Sequence, residues 1–144
     1  MRVELGTKTI ELDVDADLAL SEETLDADMC SLPRTIGKYA EIIGEAHAHS
    51  ANMKHEMEVQ EAIADQSIRA KAQQAGDKIT EPAIKQQISR DPSVQAARRA
   101  YYAADGQHKT LEGLYRALRD KGSIATAICY KLKAEIQAMN SPIN

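Results

Sequence analysis

Three kinds of hydrophobic pattern succeed one another along the chain. Over residues 1–14, Val3, Leu5, Ile10, Leu12 and Val14 largely alternate with polar residues. Alternation puts one set of side chains on one face of a strand. Gly6-Thr7 between two such runs supplies tight-turn residues, so the segment predicts a short β-hairpin. A two-stranded hairpin is marginal alone in water and must pack on something or pair with a neighbour. Residues 15–31 are acidic and poorly patterned, which predicts a short helix after Ser21 and then a connector.

From Ser31 the period changes. Ser31 has cap chemistry and Pro33 suits a first helical turn. Leu32, Ile36, Tyr39, Ile43, Ala46, Ser50, Met53 and Met57 then recur at steps of four and three, a coiled-coil-like stripe. Beyond Met57 the stripe blurs into Val59, Ile63 and Ile68, as at a stutter. Gly76 predicts the stop. Thr80-Glu81-Pro82 restarts a helix with Ile84 and Ile88 on one face, and Asp91-Pro92 starts or kinks the next. Val94, Ala97, Tyr101, Ala104, His108, Leu111, Tyr115 and Leu118 keep the three-four spacing. Gly122 reads as a further stop and Ser123 as the cap of a C-terminal helix faced by Ile124, Ile128, Leu132 and Ile136. Asn140-Ser141-Pro142 reads as the end of order.

The pattern predicts a mainly all-α fold: a long antiparallel helical hairpin plus a C-terminal helix, with a short N-terminal β-hairpin-like segment. The expected division is residues 1–28, an acidic hairpin and connector, and residues 29–144, a helical assembly domain. A helix over residues 33–75 would run about 65 Å. A compact chain of this length spans only about 35–40 Å. The expectation is therefore an elongated molecule that buries its seam by forming a homo-oligomer.

Composition sharpens this picture in three ways. The 144 residues include no Trp, no Phe and only five Tyr, so the apolar content is mostly Ala, Ile and Leu. Ala is the best helix former and lets helices approach closely. Cys30 and Cys129 match no metal or redox spacing and read as reduced structural thiols. No apolar run approaches the roughly 20 residues of a membrane span, and the N-terminus lacks a signal-peptide core. The expectation is a cytoplasmic protein with no membrane partner.

The charge is polarised. Residues 1–67 carry 5 Lys+Arg and 15 Asp+Glu, net −10, whereas residues 68–144 carry 13 and 7, net +6. Such a chain engages a polyanion with one end and keeps it from the other. Equally, the acidic segment pairs with the basic one, within or between subunits.

Catalytic chemistry finds little support. Glu45 and His49 share a helix face within the group Glu41, Glu45, His47, His49, His55 and Glu56, but the paired Glu-x-x-His motifs of di-iron bundles and an HExxH are absent. Glu58, Glu61 and Asp65 resemble the Mg²⁺-holding carboxylates of helical nucleotide pyrophosphohydrolases, without a second acidic pair. His108 lies on the apolar seam, where a satisfied core or interface residue is the commoner role. No phosphate loop or nucleophile constellation is present, so neither an enzyme nor a cofactor is expected.

The basic residues are the better lead. Arg69 and Lys71 stand near the end of the long helix and Lys78 in the following loop. Lys85, Arg90, Arg98, Arg99, Lys109, Arg116, Arg119 and Lys121 continue. Arg98, Lys109, Arg116 and Arg119 lie off the seam and so are available to a partner. Only Tyr101, Tyr102, Tyr115 and Tyr130 offer stacking platforms, and Tyr101 and Tyr115 sit on the seam. DNA binding would therefore be chiefly electrostatic and weakened by salt.

From Leu32 onward the chain resembles the phage recombination-mediator family, UvsY-like proteins of similar length with a long first helix. Lys54-His55-Glu56-Met57 is similar to the family's Lys-Lys-Glu-Met, and Arg69-Ala70-Lys71 falls in register with its Lys-Ala-Arg. Ile88-Ser89-Arg90-Asp91 resembles Leu-Ser-Ala-Asp, followed by Val94. Gly113, Ala117 and Arg119-Asp120-Lys121-Gly122 resemble the family's Gly, Ala and Lys-Ser-Arg-Gly. The likeness covers about two thirds of the chain, with one gap around residues 73–83; its signal is the shared order and register.

The resemblance implies a ring-like homo-oligomer that binds single-stranded DNA. It would remodel single-strand-binding protein and help load a RecA-like recombinase, in the host cytoplasm if phage-encoded. Phosphate contacts are expected from Arg69, Lys71 and Lys78, then from Arg116, Arg119 and Lys121. The alternative is a helical scaffold without a nucleic-acid role.

Overall fold

The computed structural model describes residues 1–140. Two strands, β1 (Arg2–Leu5) and β2 (Lys8–Glu11), precede four helices: α1 (Val14–Leu18), α2 (Leu25–Ala75), α3 (Glu81–Arg90) and α4 (Pro92–Met139). The chain is all-α apart from its N-terminal antiparallel hairpin, as the pattern predicted. The strands pair with each other. At the open end of the ladder the Leu12 amide donates to the Met1 carbonyl at 2.8 Å and the Met1 ammonium donates to the Leu12 carbonyl. Gly6 turns the hairpin at φ +64°, where a side chain would be strained.

Three boundaries depart from the sequence expectation. The short helix lies at Val14–Leu18, before Ser21, because the Asp13 carboxylate accepts from the Ala16 amide at 3.2 Å and caps it there.

α2 begins at Leu25 rather than near Ser31, inside the region read as connector, so the 28/29 boundary falls in its first turn. The Ser21 hydroxyl accepts from the Thr24 amide at 3.2 Å, and the Thr24 hydroxyl donates to Asp28 at 2.7 Å. Ser31 thus lies within the helix, its hydroxyl donating back to the Asp28 carbonyl at 3.1 Å. Pro33 also lies within α2, at an exposed position, and lacks the amide that would donate to the carbonyl four residues back.

Gly122 does not stop a helix: α4 runs unbroken from Pro92 to Met139, and Ser123 caps nothing. The C-terminal helix is the continuation of the preceding one. Gly122 has no left-handed backbone; a β-carbon there would lie 3.1 Å from Leu32 Cδ2. It is small because a neighbour is close. The expected end of order at Asn140-Ser141-Pro142 lies, from Ser141 on, outside the described residues.

The remaining punctuation is as predicted. Gly76, at φ +73°, ends α2 in a Schellman arrangement: its amide donates to the Gln73 carbonyl at 3.2 Å, and the Asp77 amide to Ala72 at 3.0 Å. Thr80 and Pro82 open α3. The Asp91 carboxylate caps α4, accepting from the Ser93 and Val94 amides at 2.8 and 3.3 Å.

The chain forms two compact units. The first comprises Met1–Glu4, Lys8–Ile43 and α4 from Thr110 on. Val3, Leu12, Leu25, Leu32, Tyr39 and Ile42 are buried there with Leu111, Leu118 and Ala125. Leu25, Leu32 and Tyr39 are seven apart, as are Leu111, Leu118 and Ala125, so each helix segment repeats its buried face every two turns. Because α4 keeps its register through Gly122, Ala125 is buried and Ile124 exposed.

The second unit comprises Leu5–Thr7 and Gly44–Lys109. Ala46, Ser50, Ala64, Ile84, Val94 and Ala104 are buried in it. Small residues dominate this core, which lets α2, α3 and the first half of α4 approach closely. His47 meets His108 with ring centroids 5.1 Å apart, and Glu61 meets Arg98. Rising numbers on α2 pair with falling numbers on α4, so the two segments run antiparallel here.

Candidate nucleic-acid interface

The corner between α2 and α3 carries the first-choice basic residues. α2 delivers Arg69 and Lys71 in its last two turns, the Gly76 turn reverses the chain, and the loop delivers Lys78. Arg69 is tied at both ends of its guanidinium. It meets Asp65, one turn back, at 2.9 Å and Glu81, in the first turn of α3, at 2.9 Å. Those bonds, Glu81 first and Asp65 second, raise the guanidinium pKa above its ordinary value. The same contact lowers the Glu81 carboxyl below its ordinary range. Arg69 therefore joins two helices, and its charge is already matched by two carboxylates.

Lys71 and Lys78 behave otherwise. Both are exposed, and among the described residues neither ammonium has a carboxylate partner. They border one crevice of about 540 Å³ whose apolar wall is Ile68, Ala72, Ala75 and Ile79. Asp77 and Gln87 complete its lining. Sequence reasoning found both lysines but missed the crevice and Gln87. The signal was present in the Gly76 stop and the Pro82 restart, which together put Lys71 and Lys78 on either side of one turn.

In the other unit, Arg116 and Arg119 lie one turn apart on α4 and, with Asp120 and Ser123, line a shallow depression of about 240 Å³. Both are exposed, and among the described residues neither pairs with a carboxylate. Lys121 stands apart from them. It is only 7% exposed. Its ammonium donates to the Asp17 carbonyl at 3.1 Å and to Asp28 at 3.4 Å. The Thr24 hydroxyl and then Lys121 hold the Asp28 carboxyl below its ordinary range. Buried Tyr39 donates to Asp17 at 2.9 Å, and burial, followed by that bond, pushes its phenol well up. Lys121 thus belongs to a polar network in the core, unlike Arg116 and Arg119 among the expected contacts.

Other residues singled out in the sequence are also engaged. Arg98, read as available to a partner, is half-buried and grips Glu61 at 2.6 Å. Lys109 meets Asp105 at 2.6 Å. Of the carboxylates resembling a Mg²⁺ site, Glu61 is held by Arg98 and Asp65 by Arg69, while Glu58 lies 3.9 Å from Lys54. Among the described residues no group of three or more His, Cys, Asp or Glu is placed to hold a metal ion, and no helix is long and apolar enough to cross a membrane. Cys30 and Cys129 are both free. Comparison with family models, curated proteins and solved structures gave no match to this chain.

Proposed function

We propose that the chain is a recombination mediator. As a homo-oligomer it binds single-stranded DNA through the phosphates and helps load a RecA-like recombinase onto strands covered by single-strand-binding protein. The observation that carries this reading is the pair Lys71 and Lys78, two exposed ammoniums without carboxylate partners among the described residues, on one crevice. They lie in the half of the chain with a net charge of +6. Phosphates bind such unpaired cations by releasing condensed counterions. Arg116 and Arg119 supply a second patch. The family register that placed Arg69-Ala70-Lys71 at a basic-x-basic element agrees with this location, with a division of labour: Lys71 contacts the strand, and Arg69 fixes the corner that presents it.

Self-association has its own support. The last turns of α4 leave Ile124, Tyr130, Ile136 and Met139 exposed, Tyr130 at 70% and Met139 at 85%. Apolar side chains of this size along one helix suit a second copy. Several copies would add weak phosphate contacts on one strand.

A scaffold reading draws on the same apolar stretch and on Arg69, whose carboxylate partners compete with phosphate. Titration of a labelled single-stranded oligonucleotide at low and moderate salt separates the two. Mediator function predicts salt-sensitive binding. A Lys71→Ala, Lys78→Ala double variant of unchanged oligomeric state should lose most of it, its salt slope falling by about 1.4 on the single-strand rule of about 0.7 per phosphate contact. Absence of binding even at low salt leaves the scaffold reading in the lead.

A further inference from the structure

We propose that the crevice between Lys71 and Lys78 is a nucleotide subsite. It takes one base of a bound strand against its aliphatic wall while the flanking phosphates meet the two ammoniums. The inference rests on the single-strand reading and adds to it a contact with the base. Ile68, Ala72 and Ala75 follow at steps of four and three, so they share one face of α2, and Ile79 joins them from the loop. The small side chains at 72 and 75 leave room that a larger residue would fill.

At about 540 Å³ the crevice falls within the range of small-ligand sites. A polyanion without bases would use the lysines alone and leave this apolar wall wet. A nucleotide matches both parts: a planar ring with little charge for the wall, and phosphate for the rim. Asp77 and Gln87 add an acceptor and an amide able to meet the hydrogen-bonding edge of a base. The chain has few tyrosines to stack on, and Tyr101 and Tyr102 already lie with ring centroids 5.3 Å apart. Aliphatic packing takes the place of the aromatic platform common in single-strand binders.

The test compares oligothymidylate with an abasic strand of equal length and charge, using the full chain and an Ala72→Leu variant checked for helicity. The intact protein should bind oligothymidylate about fivefold more tightly, the effect of burying one base face. Ala72→Leu should abolish that difference while leaving the salt slope unchanged. Ala75→Leu serves the same purpose should Ala72→Leu fail to fold. Equal, salt-sensitive affinity of the intact protein for both strands overturns the subsite and leaves phosphate binding standing. No binding of either strand overturns both readings. Uptake of free thymidine monophosphate without strand binding, lost in Ala72→Leu, overturns the assignment to a strand.

Discussion

The two units treat their cations in opposite ways. In the unit built on the hairpin, Lys121 is drawn inside and meets a backbone carbonyl and a carboxylate. In the other, Lys71 and Lys78 stand exposed beside an apolar crevice. Arg69 is intermediate, exposed but tied to Asp65 and Glu81. A count of basic residues treats these positions alike. Desolvation separates them: a buried ammonium must have fixed partners, whereas an exposed one is solvated by water and is free to exchange it for phosphate.

The largest test of that contrast is the same substitution in both places. Lys121→Ala removes a buried stem and leaves the Asp17 carbonyl without its donor, and should destabilise the chain by about 2–3 kcal/mol in denaturant unfolding. Lys71→Ala should change stability by less than about 0.5 kcal/mol and act on strand binding instead. Equal losses would erase the distinction.

A smaller effect is expected from the turn that shapes the crevice. Gly76→Ala forces a side chain into left-handed backbone and should cost about 1–2 kcal/mol. Gly122→Ala should change stability little, since the helix preference for Ala offsets the tight contact with Leu32. Thermal melts of the two variants distinguish a conformational glycine from a steric one.

The smallest expected effect is acid sensitivity. Glu81 has its pKa lowered from the ordinary 4.5, chiefly by the Arg69 bond. Asp28 has its pKa lowered from 3.8, chiefly by the Thr24 hydroxyl. A depressed folded-state pKa stabilises above the unfolded value, and the contribution is lost as pH falls through the folded value. Stability should therefore decline below about pH 4.5. Glu81→Gln should flatten the upper part of that decline and Asp28→Asn the lower part. Identical pH profiles for both variants and the parent would show that neither pairing survives in solution.

Most of the fold was legible because period and punctuation agreed. The alternating run marked the hairpin, and the three-four stripes marked α2 and α4. Gly76, Pro82 and Asp91-Pro92 marked the breaks. The errors came where a local signal has two meanings. Ser31-Pro33 has the chemistry of a start, but Leu25, Leu32 and Tyr39 form one buried row that carries the helix upstream of it. Gly122 has the chemistry of a stop, but Leu111, Leu118 and Ala125 form a row that passes through it. The candidate site was half legible. Lys71 and Lys78 stood out by charge, whereas the partners of Arg69, Arg98 and Lys121 depend on which turns face each other across the fold.

The close approach of Gly122 to Leu32 has a mechanical consequence. Repeating rows of similar side chains invite slippage, because a shift by one repeat re-forms nearly the same contacts. In the hairpin-bearing unit such a shift of α4 would replace the glycine hydrogen at that point by the side chain of Tyr115, one repeat back, or of Cys129, one repeat on. Neither fits a gap that a single β-carbon would already crowd to 3.1 Å. The absent side chain acts as a notch, and it selects one alignment among several of nearly equal hydrophobic merit.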